Sequence, residues 1–182
     1  GKSTLLKVIS GIMEPTKGWV KRQGNIAALL ELASGFDGDL TVRENTYLRG
    51  AMLGYTRKFM DDTYEQIIDF AELKEFEDRP FKQLSSGMKS RLAFSIASLV
   101  KPDILILDEP TRGIDVGAKY DIYCLMNRLV ESGKSIIMIS SELPEVLGMS
   151  DRLVVLSGGE KAGELSHEEA SAEAVMHLAI KN

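Results

Sequence analysis

The chain has 182 residues, 44% of them hydrophobic, which suits one domain with a sizeable buried core. Its 22 basic and 27 acidic residues leave a net charge of −5, and aromatics make up only 7%, which argues against an electrostatic or base-stacking nucleic-acid binder. A single cysteine, Cys124, excludes an internal disulfide framework and a cysteine-built zinc site, no apolar run approaches the roughly 18 residues of a membrane span, and a reducing, cytosolic setting is expected.

Gly1-Lys2-Ser3-Thr4 runs straight into the apolar-periodic stretch Leu5, Leu6, Val8, Ile9 and Ile12, which predicts a helix stopping near Gly11. A helix opening at the first residue is expected of a chain whose native N-terminus is missing. Glu14-Pro15-Thr16-Lys17-Gly18 is a turn by its proline and glycine. Strand-like pieces follow at Trp19–Arg22 and Ile26–Leu30. Loop-like residues from Ser34 to Asp39 lead into a mostly helical middle, where Phe59, Tyr64, Ile67, Ile68 and Ala71 recur at helical spacing. A further helix is expected from about Gly87 to Leu99, burying Leu92, Ile96 and Leu99.

Ile104-Leu105-Ile106-Leu107 is a short continuous apolar run, the pattern of a strand covered on both faces. Ile122, Leu125, Met126, Leu129 and Val130 then lie on one helical stripe closed by Gly133. Ile136–Ile139 and Leu153–Leu156 read as two more strands with a helical connection between them. Ser166-His167-Glu168-Glu169 has capping-box spacing for a last helix carrying Ala170, Val175, Leu178 and Ala179. Strands alternating with helices predict an α/β fold with a largely parallel sheet, interrupted by a helical insertion at roughly 45–100.

Gly1-Lys2-Ser3-Thr4 matches the second half of a phosphate-binding loop, G-x-x-x-x-G-K-[ST]. A phosphate needs converging N–H donors, a helix N-terminus and a cation. Lys2 suits the β- and γ-phosphates and the Ser3 hydroxyl suits Mg2+, with Gly1 and Thr4 in the same nucleotide-binding turn. Four residues alone are weak evidence and are more often a chance surface tetrapeptide. The stretch from Asp103 to Asp108-Glu109-Pro110 adds a buried strand ending in two carboxylates, delivered to the sheet edge where α/β proteins bind ligands. Asp108 would complete the Mg2+ shell through water and Glu109 would polarise the attacking water; otherwise the pair is a polar turn after a strand. Together the two motifs point to a nucleoside triphosphatase.

Between them lies Leu84-Ser85-Ser86-Gly87-Met88, just before a helix, and here the chain resembles the nucleotide-binding domains of ABC transporters. Their L-S-G-G-Q signature is matched with Ser86 for the first glycine and Met88 for the glutamine. Arg112-Gly113-Ile114-Asp115 stands at the D-loop, and Lys101-Pro102 before the buried strand is also family-like. The resemblance implies a RecA-like P-loop NTPase fold over residues 1–182, lacking its N-terminal strands. It implies ATP and Mg2+ as ligands and a head-to-tail dimer with a second ABC ATPase domain. Ser85, Ser86 and Gly87 would then face nucleotide held by that partner, and Asp115 would contact the opposing subunit; plain helix caps are the alternative for both. A transmembrane permease, docked at Ser34–Asn45 and the helical insertion, and a place on the cytoplasmic face of the membrane complete the expectation. No nucleic-acid partner is expected.

Two family positions differ. Ser141 stands where the switch histidine belongs, while His167 and His177 both fall in the last helical region, as solvent-facing or capping residues. Since a serine reaches less far than an imidazole and carries no positive charge, the expectation at Ser141 is weakened hydrolysis, or a paired site in which the other subunit does more. The expected glutamine after the second early strand is absent, and Glu31 is the nearest candidate, as a ligand of Mg2+ or a water at the nucleotide or else as a solvated edge residue. Ala28–Phe36, Leu40–Asn45 and Ser85–Leu92 look like exporters of teichoic acid and surface polysaccharide. Asp108–Lys119 and Ile139–Arg152 are similar to the second ATPase half of simple-sugar importers, a branch that also carries serine for the histidine. Carbohydrate transport is common to both. The competing expectations are a non-transport ABC ATPase of DNA repair or translation, and an inactive fragment that no longer binds ATP.

Overall fold

The computed structural model describes residues 1–29, 35–98 and 102–180, in which helices alternate with strands. The chain runs α1 (Lys2–Ser10), β1 (Ile26–Leu29), α2 (Val42–Met52), α3 (Arg57–Ala71), α4 (Ser86–Ser98), β2 (Ile104–Asp108) and α5 (Val116–Glu131). It continues through β3 (Ser135–Ile139), α6 (Leu143–Met149), β4 (Arg152–Ser157), β5 (Glu160–Ser166) and α7 (Ala172–Ile180). Two compact units share these elements: residues 23–137, and residues 1–22 with 138–182.

In the larger unit β1 and β2 pair in parallel, with Ile26 opposite Ile104 and Leu29 opposite Leu107. The strand order β1-β2-β3 puts β2 in the middle, so both of its faces need cover, and Leu105, Ile106 and Leu107 are fully buried. The start of β2 is fixed by Asp103, whose Oδ2 accepts the Asn25 N–H at 2.8 Å. Gly24, with φ +86°, allows that approach: a Cβ there would stand 2.7 Å from the same carboxylate oxygen.

Residues 42–98 build the helical layer. Thr41 and Glu44 form a reciprocal capping box at the start of α2, and Thr56 accepts the Phe59 N–H at the start of α3. The core of this layer joins Val42, Met60, Tyr64, Ile67, Ile68 and Leu73 to Leu92 and Ile96 of α4. Buried Asn45 donates to the carbonyls of Asp37, Leu40 and Thr41 and accepts the Asp37 N–H, stitching the preceding loop onto α2. Burial and a hydrogen bond to Glu77 push the Tyr64 phenol well above its usual range, so it remains a donor. Arg43 pairs with Glu77 at 2.9 Å and lies over the Tyr64 ring. Arg43 and Glu44, in the region expected to meet a permease, thus already have intramolecular partners.

Asp115 caps α5 by accepting the Ala118 N–H at 3.0 Å. Ile122, Leu125 and Met126 are buried as the stripe predicts, whereas Val130 is 46% exposed, because the stripe has rotated towards solvent by the last turn. Gly133 follows with φ +84° and donates to the Val130 carbonyl, closing the helix.

In the smaller unit α1 ends on Gly11 at φ +83°, and the Arg22 guanidinium donates to the Val8 carbonyl at 3.2 Å. β4 and β5 form an antiparallel hairpin, with Arg152 opposite Ser166 and an irregularity between Val155 and Leu156. α7 packs on the hairpin: the Ser157 hydroxyl donates to the Ala179 carbonyl, and a Cβ at Gly163 would stand 2.7 Å from the Leu178 side chain.

Three expectations need correction. Residues 19–22 are not a strand: no neighbour among the described residues gives them a ladder, and Trp19 is 79% exposed. The Leu153–Leu156 strand joins not the parallel sheet but the hairpin with β5, a segment whose sequence, Glu160-Lys-Ala-Gly-Glu-Leu-Ser166, lacks strand-like apolar alternation. The Ser166–Glu169 capping hydrogen bonds do form, but they close a turn after β5. The last helix starts later, with Ser171 accepting the Ala174 N–H.

Candidate functional site

Strand β2 delivers its C-terminal carboxylate at Asp108, whose Oδ1 is buried and has no hydrogen-bond partner among the described residues. A buried carboxylate oxygen left open in this way suits a cation or its bound water, so the residues present fit Mg2+. Glu109 follows with φ +49°, a left-handed conformation that costs a non-glycine residue about 1–3 kcal/mol. Pro110 and Thr111 are buried, and the turn is closed by the Arg112 N–H donating to the Glu109 carbonyl at 3.1 Å. Burial of the following two residues thus holds the Glu109 backbone in its strained state at the strand end, the position from which its carboxylate is presented.

The loop continues to Asp115, where it meets the start of α4 within the same unit. Ser85 caps α4, accepting the Met88 N–H at 3.2 Å. Ser86 donates from its hydroxyl to Asp115 Oδ2 at 3.4 Å, while Asp115 Oδ1 holds the Ala118 N–H. Gly87 sits so close to α5 that an added Cβ would lie 2.2 Å from the Ala118 Cβ. Ser85, Ser86, Gly87 and Asp115, 30 residues apart in sequence at their extremes, are therefore one cluster. The capping roles open to Ser85 and Asp115 are both realised.

Gly1, Lys2, Ser3 and Thr4 belong to the smaller unit and form the exposed N-terminal turn of α1. Leu6, one turn on, is buried and anchors this helix. Ser141 lies in the same unit, exposed just after β3, where Ser140 Oγ accepts the Glu142 N–H. Glu31 lies outside the described residues. His177 is exposed on α7, and His167 Nδ1 lies 3.0 Å from the Ser150 carbonyl. Among the described residues no cluster of three histidine, cysteine or carboxylate groups is arranged to hold a metal, and no helix is long and apolar enough to cross a membrane.

Sequence reasoning missed Arg91 and Ala118. Arg91, five residues after Ser86, pairs with Glu72 at the end of α3 (3.3 Å) and with Asp121 of α5 (3.1 Å), while its Nε is buried without a partner among the described residues. Ala118 lies three residues after Asp115, the spacing at which a capped helix returns its first N–H. A small residue there was the available signal.

The sequence matches the ABC transporter family over residues 1–112. It is 42% identical over 160 residues to the ABC transporter protein AbcA of Aeromonas salmonicida, covering 88% of this chain and 52% of that protein. It is 38% identical over 178 residues to the O-antigen export system ATP-binding protein RfbB of Klebsiella pneumoniae, covering 98% and 70%. The ribose import ATP-binding protein RbsA of Clostridium perfringens is 34% identical over 203 positions, covering 99% and 40%. The chain thus spans from less than half to about two thirds of the length of these relatives. Among solved structures it superposes on an ATP-binding cassette of an ABC transporter in its ADP conformation, with a TM-score of 0.80 at 23% identity over 100% of this chain and 84% of that one. It also superposes on CbiO1 from Clostridium perfringens, with a TM-score of 0.78 at 22% identity over 97% and 76%. Both establish the P-loop NTPase fold.

Proposed function

The chain belongs to the ABC transporter family, and from that premise we propose that it is the ATP-binding and ATP-hydrolysing part of a carbohydrate transporter. The observation that carries the reading is the end of β2, where Asp108 keeps a buried oxygen open and Glu109 is held in a strained conformation beside it. Lys2 and the backbone N–H groups of the α1 N-terminus, with Gly1 and Thr4, bind the phosphates. Ser3, by its hydroxyl, and Asp108, by its buried carboxylate oxygen, are the residues that would hold Mg2+, which would supply charge neutralisation at the phosphates. Glu109 accepts a proton from the water that attacks the γ-phosphorus, and the ADP oxygen leaves with the bonding electrons. Ser85, Ser86 and Gly87 meet the nucleotide of a second ABC ATPase domain, and Asp115 meets that domain directly. Glu31 remains a candidate nucleotide contact.

Export of a surface polysaccharide is the favoured direction. The O-antigen export relative aligns over 178 residues, fewer than the chain's own 182, whereas the ribose import relative needs 203 positions and so carries inserted residues. Sugar import is the second reading, supported by the stretches Asp108–Lys119 and Ile139–Arg152 and by Ser141. In either case the coupled partner is a transmembrane permease, and the chain works on the cytoplasmic face of the membrane.

Mg2+-dependent phosphate release from ATP tests the activity; none at any protein concentration would overturn it. In the same assay Ser141→His should raise turnover several-fold, because an imidazole reaches the γ-phosphate and adds positive charge there. An unchanged or lower rate would remove Ser141 from the catalytic set.

A further inference from the structure

Two independent contacts join the start of α4 to the start of α5. One is polar, from the Ser86 hydroxyl to Asp115 Oδ2. The other is steric, where Gly87 leaves no room for a side chain against the Ala118 Cβ. Asp115 is divided between these elements, one oxygen capping α5 and the other turned to α4. Arg91 adds a third link one helical turn and a half further on, through Asp121.

We propose that Ser86 and Gly87 are positioning residues for Asp115, clamping the N-termini of α4 and α5 into one body so that whatever engages the Ser85–Gly87 loop also sets the Asp115 side chain. A glycine at 86 has no hydroxyl with which to hold Asp115 Oδ2, so this tie belongs to the serine of this chain. Without the tie Asp115 is held only by the Ala118 N–H, and its carboxylate turns about that one contact. Loss of the tie therefore lowers turnover through Asp115, and the effects of changing Ser86 and Asp115 are coupled. The catalytic part of this inference rests on the proposed ATPase function, and the steric part does not.

Two measurements test it. By thermal unfolding, Gly87→Ala should lower the midpoint by several degrees, and the double variant Gly87→Ala with Ala118→Gly should unfold no earlier than Ala118→Gly alone, since the new methyl takes the vacated space. Failure of that rescue overturns the clamp whether or not the protein hydrolyses ATP. By steady-state kinetics, Ser86→Ala and Asp115→Ser, which keeps a capping oxygen but not the second one, should each lower kcat/KM for ATP several-fold, and the double variant should fall no further than the more damaging single. Losses that add in the double variant would mean that Ser86 acts independently of Asp115, and wild-type rates in Ser86→Ala would leave it without a role; either overturns the positioning assignment. Absence of turnover in the wild type counts against the ATPase reading instead, and the unfolding rescue then decides the clamp.

Discussion

Replacing Glu109 with glutamine should lower ATP turnover by about 10²–10⁴-fold while nucleotide affinity stays within a few-fold of wild type. The amide has the size and shape of the carboxylate, so the left-handed backbone at φ +49° and the buried Pro110 and Thr111 beneath it are undisturbed. What disappears is the group that takes the proton from water. Steady-state phosphate release paired with equilibrium nucleotide binding separates the two quantities. A fall of less than about tenfold would show that the proton leaves by another route, and a parallel loss of binding would show that Glu109 acts in the ground state.

Phe94→Ala should be the most damaging single change to the framework, at about 3–5 kcal/mol. Phe94 is fully buried near the middle of α4, and its neighbours Leu92 and Ile96 are buried with it. Removing the ring leaves a cavity in the helix whose first residues carry Ser85, Ser86 and Gly87. For a chain of this size each kcal/mol lowers the melting temperature by about 2–4 °C, so a drop of about 10 °C is expected. Urea unfolding gives the free energy directly. A loss below about 1 kcal/mol would mean that the surrounding side chains refill the space and that α4 is anchored elsewhere.

The parts of the fold legible in the sequence were those in which one physical demand dominates. Ile104–Leu107 is apolar at every position because a middle strand is covered on both sides, and no surface element needs that pattern. Tyr64, Ile67, Ile68 and Ala71 recur at helical spacing because α3 buries one stripe. Residues 19–22 and β5 misled in opposite senses, since strand formation depends on a neighbour to pair with as much as on composition. The Ser166–Glu169 pair shows that capping chemistry closes turns as readily as it starts helices. At the candidate site, Asp108 and Glu109 were visible because a buried strand ending in carboxylates is chemically costly without a use. The Ser86–Asp115 and Gly87–Ala118 contacts were not, because they depend on which helix ends meet across about 30 residues of chain.

The register of β1 against β2 has a consequence for how the chain folds. Asn25 meets Asp103 across 78 residues, and the helical layer occupies most of that interval. Bringing the strands together first would close a long flexible loop against its full entropy, whereas the core that α2, α3 and α4 share lies wholly between Val42 and Ile96, inside that interval. The layer is therefore expected to form early and act as a splint that shortens the closure. Ile68→Val in its core should slow refolding nearly in proportion to the stability it removes, while Leu105→Ala in β2 should mainly speed unfolding. Stopped-flow refolding of the two variants distinguishes them, and the reverse pattern would place the strand pair in the nucleus. On this account the helical insertion is what makes a parallel pairing of such distant segments kinetically accessible.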